Sequence, residues 1–172
     1  MAEEDRLRWE RKYAGGHRGP AEPDPLLREA LAVAPAGGRA LDVACGSGRH
    51  AIALARRGFR VDAFDVAPAA LREARIRAGP APVRFVEADL DDARFEPGAY
   101  AVAVCIDFTA EGLAPRLVEA LAPGGVLVYA ARPRGLGRFG PRPGDVERWF
   151  GALERLVARE TADRVEFVGR RR

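Results

Sequence analysis

Two carboxylates and two glycines fall close together in residues 41–65, LDVACGSGRHAIALARRGFRVDAFD. Gly46 and Gly48 let a backbone turn tightly and approach a ligand with no side chain in the way. The residues after them carry Ile52, Leu54 and Ala55 in helical spacing up to Gly58, which ends the helix. A turn that feeds a helix start aims free N–H groups, and the positive end of the helix, at one ligand group. Leu41 and Val43 before the turn read as a buried parallel strand, and Arg60 to Asp65 as the next strand. Asp65 ends that second strand with a carboxylate. The whole is a nucleoside-binding arrangement.

Two cofactor classes use such an arrangement. Residues 46–51, GSGRHA, match the G-x-G-x-x-[GA] pattern of dinucleotide binding. Asp42, inside the strand four residues before Gly46, speaks against it, because a carboxylate there repels a pyrophosphate. A ligand with an ammonium and a sulfonium meets no such repulsion. LDVACGSG followed by FDV resembles the first two motifs of class I S-adenosylmethionine-dependent methyltransferases. The resemblance implies S-adenosyl-L-methionine as cofactor and methyl transfer by in-line displacement, with no metal. It places Asp42 near the methionine end, and Ala44, Gly46, Ser47 and Gly48 where the backbone admits methionine and ribose. Asp65 would hold the ribose, Val66 and Leu90 would sandwich the adenine, and Asp89 would accept from its exocyclic amine. Backbone at Cys105 would border the methionine.

The elements that position these residues follow in chain order. Glu3 to Tyr13 reads as an amphipathic helix with Leu7, Trp9 and Tyr13, broken by the run GGHRGP. Asp24-Pro25 opens a second helix expected to reach Ala34. RWERKYAGGH followed by EPDPLL resembles the entry segment of the small tellurite-resistance-type subgroup, in which such an appendage closes over the cofactor. Pro68 starts a helix with Leu71, Ala74 and Ile76 on one side, and strands are expected at 82–87, 99–106 and 126–131. A helix is read at 111–121, Pro123-Gly124-Gly125 as a turn, and 145–150 as a short helix. Residues 153–160 and 164–168 alternate like an antiparallel pair. The expected fold is one Rossmann-like, doubly wound, mostly parallel seven-stranded α/β sheet with a C-terminal antiparallel hairpin and a helical N-terminal appendage. One domain spans 1–172: a helical cap at 1–35, a cofactor core at 39–131, a flexible loop at 132–144, and a helix with terminal hairpin at 145–172.

Candidates for catalysis are Asp107, which follows the fourth strand at its carboxyl end, and Tyr13 and His17 at the pocket mouth. The loop RPRGLGRFGPRPG offers Arg132, Arg134 or Arg138 to an anionic substrate, or is a mobile surface segment. The acceptor is expected to be a small molecule. A nucleic-acid methyltransferase gripping through the arginine loop, and a non-catalytic S-adenosylmethionine-binding protein, are the alternatives. The 28 bases and 25 acids are interspersed, so the net charge of +3 reads as a solvated surface rather than a nucleic-acid footprint. No Asp-Pro-Pro-Tyr or Asn-Pro-Pro-Tyr stretch and no Pro-Cys pair occurs, which speaks against DNA amino and cytosine C5 methylation. The charged N-terminus lacks a signal-peptide core, and no apolar run of about 18 residues occurs, so a cytoplasmic protein without membrane partners is expected. Cys45 and Cys105 read as packing residues, neither disulfide nor metal ligands. Absent Asn and Gln, and 13 Pro, point to a thermophilic source.

Overall fold

The computed structural model describes residues 3–136 and 140–172. Its strands are β1 (Gly38–Val43), β2 (Phe59–Asp65), β3 (Val83–Glu87), β4 (Tyr100–Ile106), β5 (Leu121–Ala131), β6 (Glu154–Glu160) and β7 (Val165–Arg170). They form one seven-stranded sheet in the order β3-β2-β1-β4-β5-β7-β6. The first five are parallel, β7 runs antiparallel to β5, and β6 antiparallel to β7. The helices are α1 (Glu3–Ala14), α2 (Pro25–Leu31), α3 (Arg49–Arg56), α4 (Pro68–Ala78), α5 (Ala114–Ala120) and α6 (Asp145–Phe150). This is the doubly wound α/β architecture expected, with its antiparallel terminal hairpin and N-terminal helix.

Strand periodicity divides the core in two. Leu41, Val43, Ala103, Cys105, Leu127 and Tyr129 face the layer that holds Leu117 of α5 and Phe150 of α6. Ala40, Val102, Val104, Val126 and Val128 face the layer with Leu27 of α2 and Leu54 of α3. Both faces are covered, so β4 and most of β5 are apolar almost throughout. Winding reverses between β1 and β4, adjacent in the sheet though distant in sequence. At such a switch the carboxyl ends of two strands splay apart and leave a crevice.

Several boundaries differ from expectation. Helix α2 stops at Leu31, not Ala34. Leu71 and Ala74 on α4 are buried, but Ile76 is 77% exposed, because five residues past Leu71 the helix has turned it outward. Helix α5 begins at Ala114, not Glu111: Gly112 at φ 73° is outside the helical region, and Pro115 occupies the first turn. The expected Pro123-Gly124-Gly125 turn is absorbed into β5, where the register on β4 shifts between Tyr100 and Val102. A buried polar knot lies in β2: Asp62 accepts from Arg39 (2.8 Å), Arg84 (2.7 Å) and Tyr100 (2.9 Å). Burial alone would raise its pKa, but these three donors hold it below the ordinary carboxylate value.

Candidate functional site

The glycine turn stands on the crevice between β1 and β4. Asp65, at the tip of β2, pins it: Oδ2 accepts from Gly46 N at 2.8 Å and Oδ1 from Ala67 N at 2.9 Å. Burial raises this carboxyl's pKa, and the N–H groups of Ala67, Gly46 and Val66 oppose the rise. Each oxygen keeps a lone pair for a further donor. Gly46 sits at φ 53°, and a Cβ there would lie 2.5 Å from the Tyr13 hydroxyl. The space that a side chain would take is thus filled from α1. Gly48, at φ 82°, permits the close packing of α3, since a Cβ would meet Ala74 at 3.1 Å and Phe85 at 3.2 Å.

Gly48 has no side chain to cap α3, and Asp42 does this from the strand. Its Oδ2 accepts from Ala51 N at 2.9 Å, in the first turn. The carboxyl is 1% exposed. Burial pushes its pKa up to about 7, against the Ala51 bond and the Arg49 charge. Asp42 therefore lies beneath the turn, not on the wall of the crevice.

The N-terminal segment is tied across the crevice. Glu10 on α1 accepts from Ala69 N at 2.8 Å, in the first turn of α4. Ser47 Oγ donates to Arg18 O at 2.6 Å and accepts from Arg77 at 2.7 Å. His17 packs edge-on to the Tyr13 ring at 5.4 Å, and Lys12 lies 4.4 Å over Trp9. Burial, with the Asp65 charge next, raises the Tyr13 pKa far above its ordinary value. Tyr13 is a hydroxyl donor here and not a phenolate base.

The opposite wall comes from β4, β5 and the start of α3. Asp107 takes φ 61°, with its N–H on Ala130 O at 2.8 Å. Arg49 bridges to Asp107 at 3.0 Å and to Glu22 O at 3.4 Å. His50 is 4% exposed, and its Nε2 has no partner among the described residues. Burial first, then the charges of Arg49 and Arg164, push its pKa down to about 3, so it is neutral at ordinary pH. Cys45 and Cys105 are buried free thiols whose pKa values are raised by burial, which suits packing and not nucleophilic chemistry.

These elements enclose a cavity of about 450 Å³, within the range of small-ligand sites. Of the residues singled out in the sequence, Tyr13, His17, Ala44, Gly46, Ser47, Asp65, Val66, Leu90 and Asp107 line it. Asp42, Gly48, Asp89 and Cys105 do not. Asp89 Oδ1 accepts from Asp91 N at 2.9 Å, a turn bond just past β3. Cys105 is fully buried in β4, and its neighbour Ile106 reaches the cavity instead. Arg132 lines the cavity, Arg134 pairs with Glu111 at 3.8 Å, and Arg138 lies outside the described residues. Sequence reasoning missed Arg49 and His50 as wall residues. Arg49 carried a signal: a cation at a helix's first position opposes the helix dipole, a local rule broken for some other purpose.

The residues suit a nucleoside. Asp65 retains two acceptor lone pairs at the mouth of a backbone cradle that admits no Cβ, and Val66 and Leu90 supply apolar cover. The model of a methyltransferase domain matches residues 40–125. The chain is 32% identical over 130 residues to a ubiquinone biosynthesis O-methyltransferase of Xanthomonas campestris pv. campestris, covering 67% of this chain and 54% of that one. It is 41% identical over 115 residues to a demethylmenaquinone methyltransferase of Clavibacter sepedonicus, covering 61% and 46%. The chain thus spans about half the length of these curated relatives. In fold it is similar to a TehB-like S-adenosylmethionine-dependent methyltransferase from Corynebacterium glutamicum, with a TM-score of 0.67, 23% identity and coverage of 99% and 97%.

Proposed function

The chain belongs to the methyltransferase domain family, whose members draw on S-adenosylmethionine, and from that premise we propose that it methylates a small-molecule acceptor. The observation that carries the proposal is the Asp65–Gly46 cradle: a carboxylate with free lone pairs beside a turn with no room for a side chain. In this reading Asp65 takes the ribose hydroxyls, and Val66 and Leu90 flank the base. Ala44, Gly46 and Ser47 give the methionine portion its backbone contacts. Asp42 and Gly48 act from behind, by fixing the start of α3, while Asp89 and Cys105 shape the ends of β3 and β4. When bound, S-adenosylmethionine supplies a sulfonium methyl that an acceptor lone pair takes in line, the C–S electrons staying on sulfur.

The chain's own residues contribute alignment and dryness. Tyr13 and His17, carried by α1 and the segment after it, cover the glycine turn and exclude water. Ile106, Asp107 and Ala131, at the ends of two adjacent strands, form the floor on which the acceptor rests. Holding two reactants in register is worth roughly 7–11 kcal/mol at best, which is why a rigid crevice suffices without a metal or covalent intermediate. Of the described residues, 3–35 serve as a cap, and 132–136 with Gly140 border the acceptor side. No helix among the described residues is long and apolar enough to cross a membrane, and we place the protein in the cytoplasm of a thermophile. A melting temperature in the mesophile range speaks against that source.

Calorimetry tests the central assignment. S-adenosylmethionine should bind the wild type and NAD should not, and Asp65→Ala should weaken binding about tenfold or more, the effect of losing charge-assisted hydrogen bonds. Binding of NAD without S-adenosylmethionine would sink it.

A further inference from the structure

The cavity taken as a whole has an unbalanced charge. Among the described residues, Arg8, Lys12, Arg49 and Arg132 line the cavity, against Asp65 and Asp107. Asp107 is neutralised by Arg49 at 3.0 Å, and Asp65 by the N–H groups of the glycine turn and Ala67. Arg8 and Lys12 lie against the Trp9 ring, at 5.6 and 4.4 Å. Arg132 is different. It stands exposed at the carboxyl end of β5, the floor's outer strand, with no hydrogen-bond or ion-pair partner among the described residues. Beside it the wall is apolar, with Ile106, Phe108, Ala131 and Leu136.

The cofactor reading on which this inference rests makes the imbalance larger, since S-adenosylmethionine carries two positive charges and one negative. A cationic acceptor would enter a site already cationic, and would be repelled where dielectric screening is weak. An anion would be drawn in. We propose that the methyl acceptor is a small organic acid with an apolar body, and that Arg132 binds its charge. Such an acceptor arrives with the lone pair it needs already free. No proton has to leave, so no general base is required of Asp107, which is held by Arg49, or of His17 at the pocket mouth.

The test is calorimetry on protein saturated with S-adenosylhomocysteine, titrated with benzoate and phenylacetate as anions, and with benzamide and benzylamine as neutral and cationic counterparts. At least one anion should bind more tightly than both counterparts. Arg132→Gln should weaken that anion about tenfold or more while S-adenosylhomocysteine affinity stays within about twofold, and Arg132→Lys should restore part of the loss. If no anion outbinds benzamide and benzylamine, or if Arg132→Gln binds the anion as well as wild type, the assignment is wrong. Failure of S-adenosylhomocysteine itself to bind overturns the methyltransferase reading and this one with it. Its binding without anion preference overturns the anion assignment alone.

Discussion

Replacing Gly46 by Ala probes the contact between α1 and the glycine turn. Two costs can be separated. The first belongs to the backbone: φ is 53°, and an L-residue in the left-handed region costs about 1–2 kcal/mol. The second belongs to the packing: the new Cβ would lie 2.5 Å from the Tyr13 hydroxyl, and overfilling of this kind costs about 1–3 kcal/mol. The two are told apart by Tyr13→Phe. With the hydroxyl gone, the next atom of that ring, Cζ, is 3.5 Å from the Cβ, an ordinary contact. Gly46→Ala should therefore cost about 2–5 kcal/mol in the wild type and only about 1–2 kcal/mol in Tyr13→Phe, a coupling of about 1–3 kcal/mol. The assay is urea unfolding of the four proteins near neutral pH, with equal m-values as the check that compactness is unchanged. Additivity within about 0.5 kcal/mol would mean that Tyr13 does not occupy the space above Gly46, and the account of α1 as a cover would fall.

Further perturbations address other parts of the site. His50 has a folded pKa pushed below the unfolded value, so its stabilisation is present above about pH 6.5 and is lost as pH falls toward 3, at up to about 1.4 kcal/mol per unit. Asp42 acts in the opposite sense, since its raised pKa relieves a cost as pH falls below 7; urea midpoints of wild type and His50→Leu between pH 7 and 4.5 isolate the histidine, and parallel profiles would refute its burial as neutral. Tyr100→Phe removes one of the three donors on Asp62 and should cost about 1–2 kcal/mol, most visible above the unfolded carboxylate pKa, where Asp62 is charged in both states; an unchanged melting temperature would count against the network. Asp107→Asn should change stability by less than about 1 kcal/mol, because the Arg49 pair is partly exposed and Asn tolerates positive φ. Asp107→Val, β-branched in the same conformation, should cost about 1–3 kcal/mol, and equal melting of the two variants would refute the strain.

The sheet and its order of elements were legible because the pattern is periodic where the fold is regular. Val, Ile and Ala runs bounded by Gly and Pro marked the strands, and GSG before an amphipathic run marked the turn. What the pattern could not show is direction in space where regularity stops. Arg49 and His50 are adjacent on one helical turn, yet one bridges to a neighbouring strand and the other is buried. Asp42 looked like a ligand contact because it lies near the glycines in sequence; its partner is Ala51, nine residues on, and the bond exists only once α3 has folded back on β1. Pro123-Gly124-Gly125 reads as a turn by composition; it is an unpaired bulge on the β4 side, between Leu121 and Val126, and Gly124 and Gly125 bond to Arg171 instead. In each case a tertiary partner decided what local chemistry left open.

The pairing of β1 with β4 has a consequence for how the chain reaches this state. β1, β2 and β3 are consecutive and can associate through short crossovers, so the Gly46–Asp65 half of the site depends on comparatively local closure. Val43 meets Cys105 only after the whole β2–α4–β3 segment has been looped out, and β7 then reaches back to β5. Loop entropy opposes these later contacts, which makes the second half the slower step. Until it is complete, the apolar edges of β1 and β4 are unpaired and open to other chains. The crevice itself exists only after β1 has met β4, so a ligand bridging its two walls holds that seam shut and stabilises the fold by mass action.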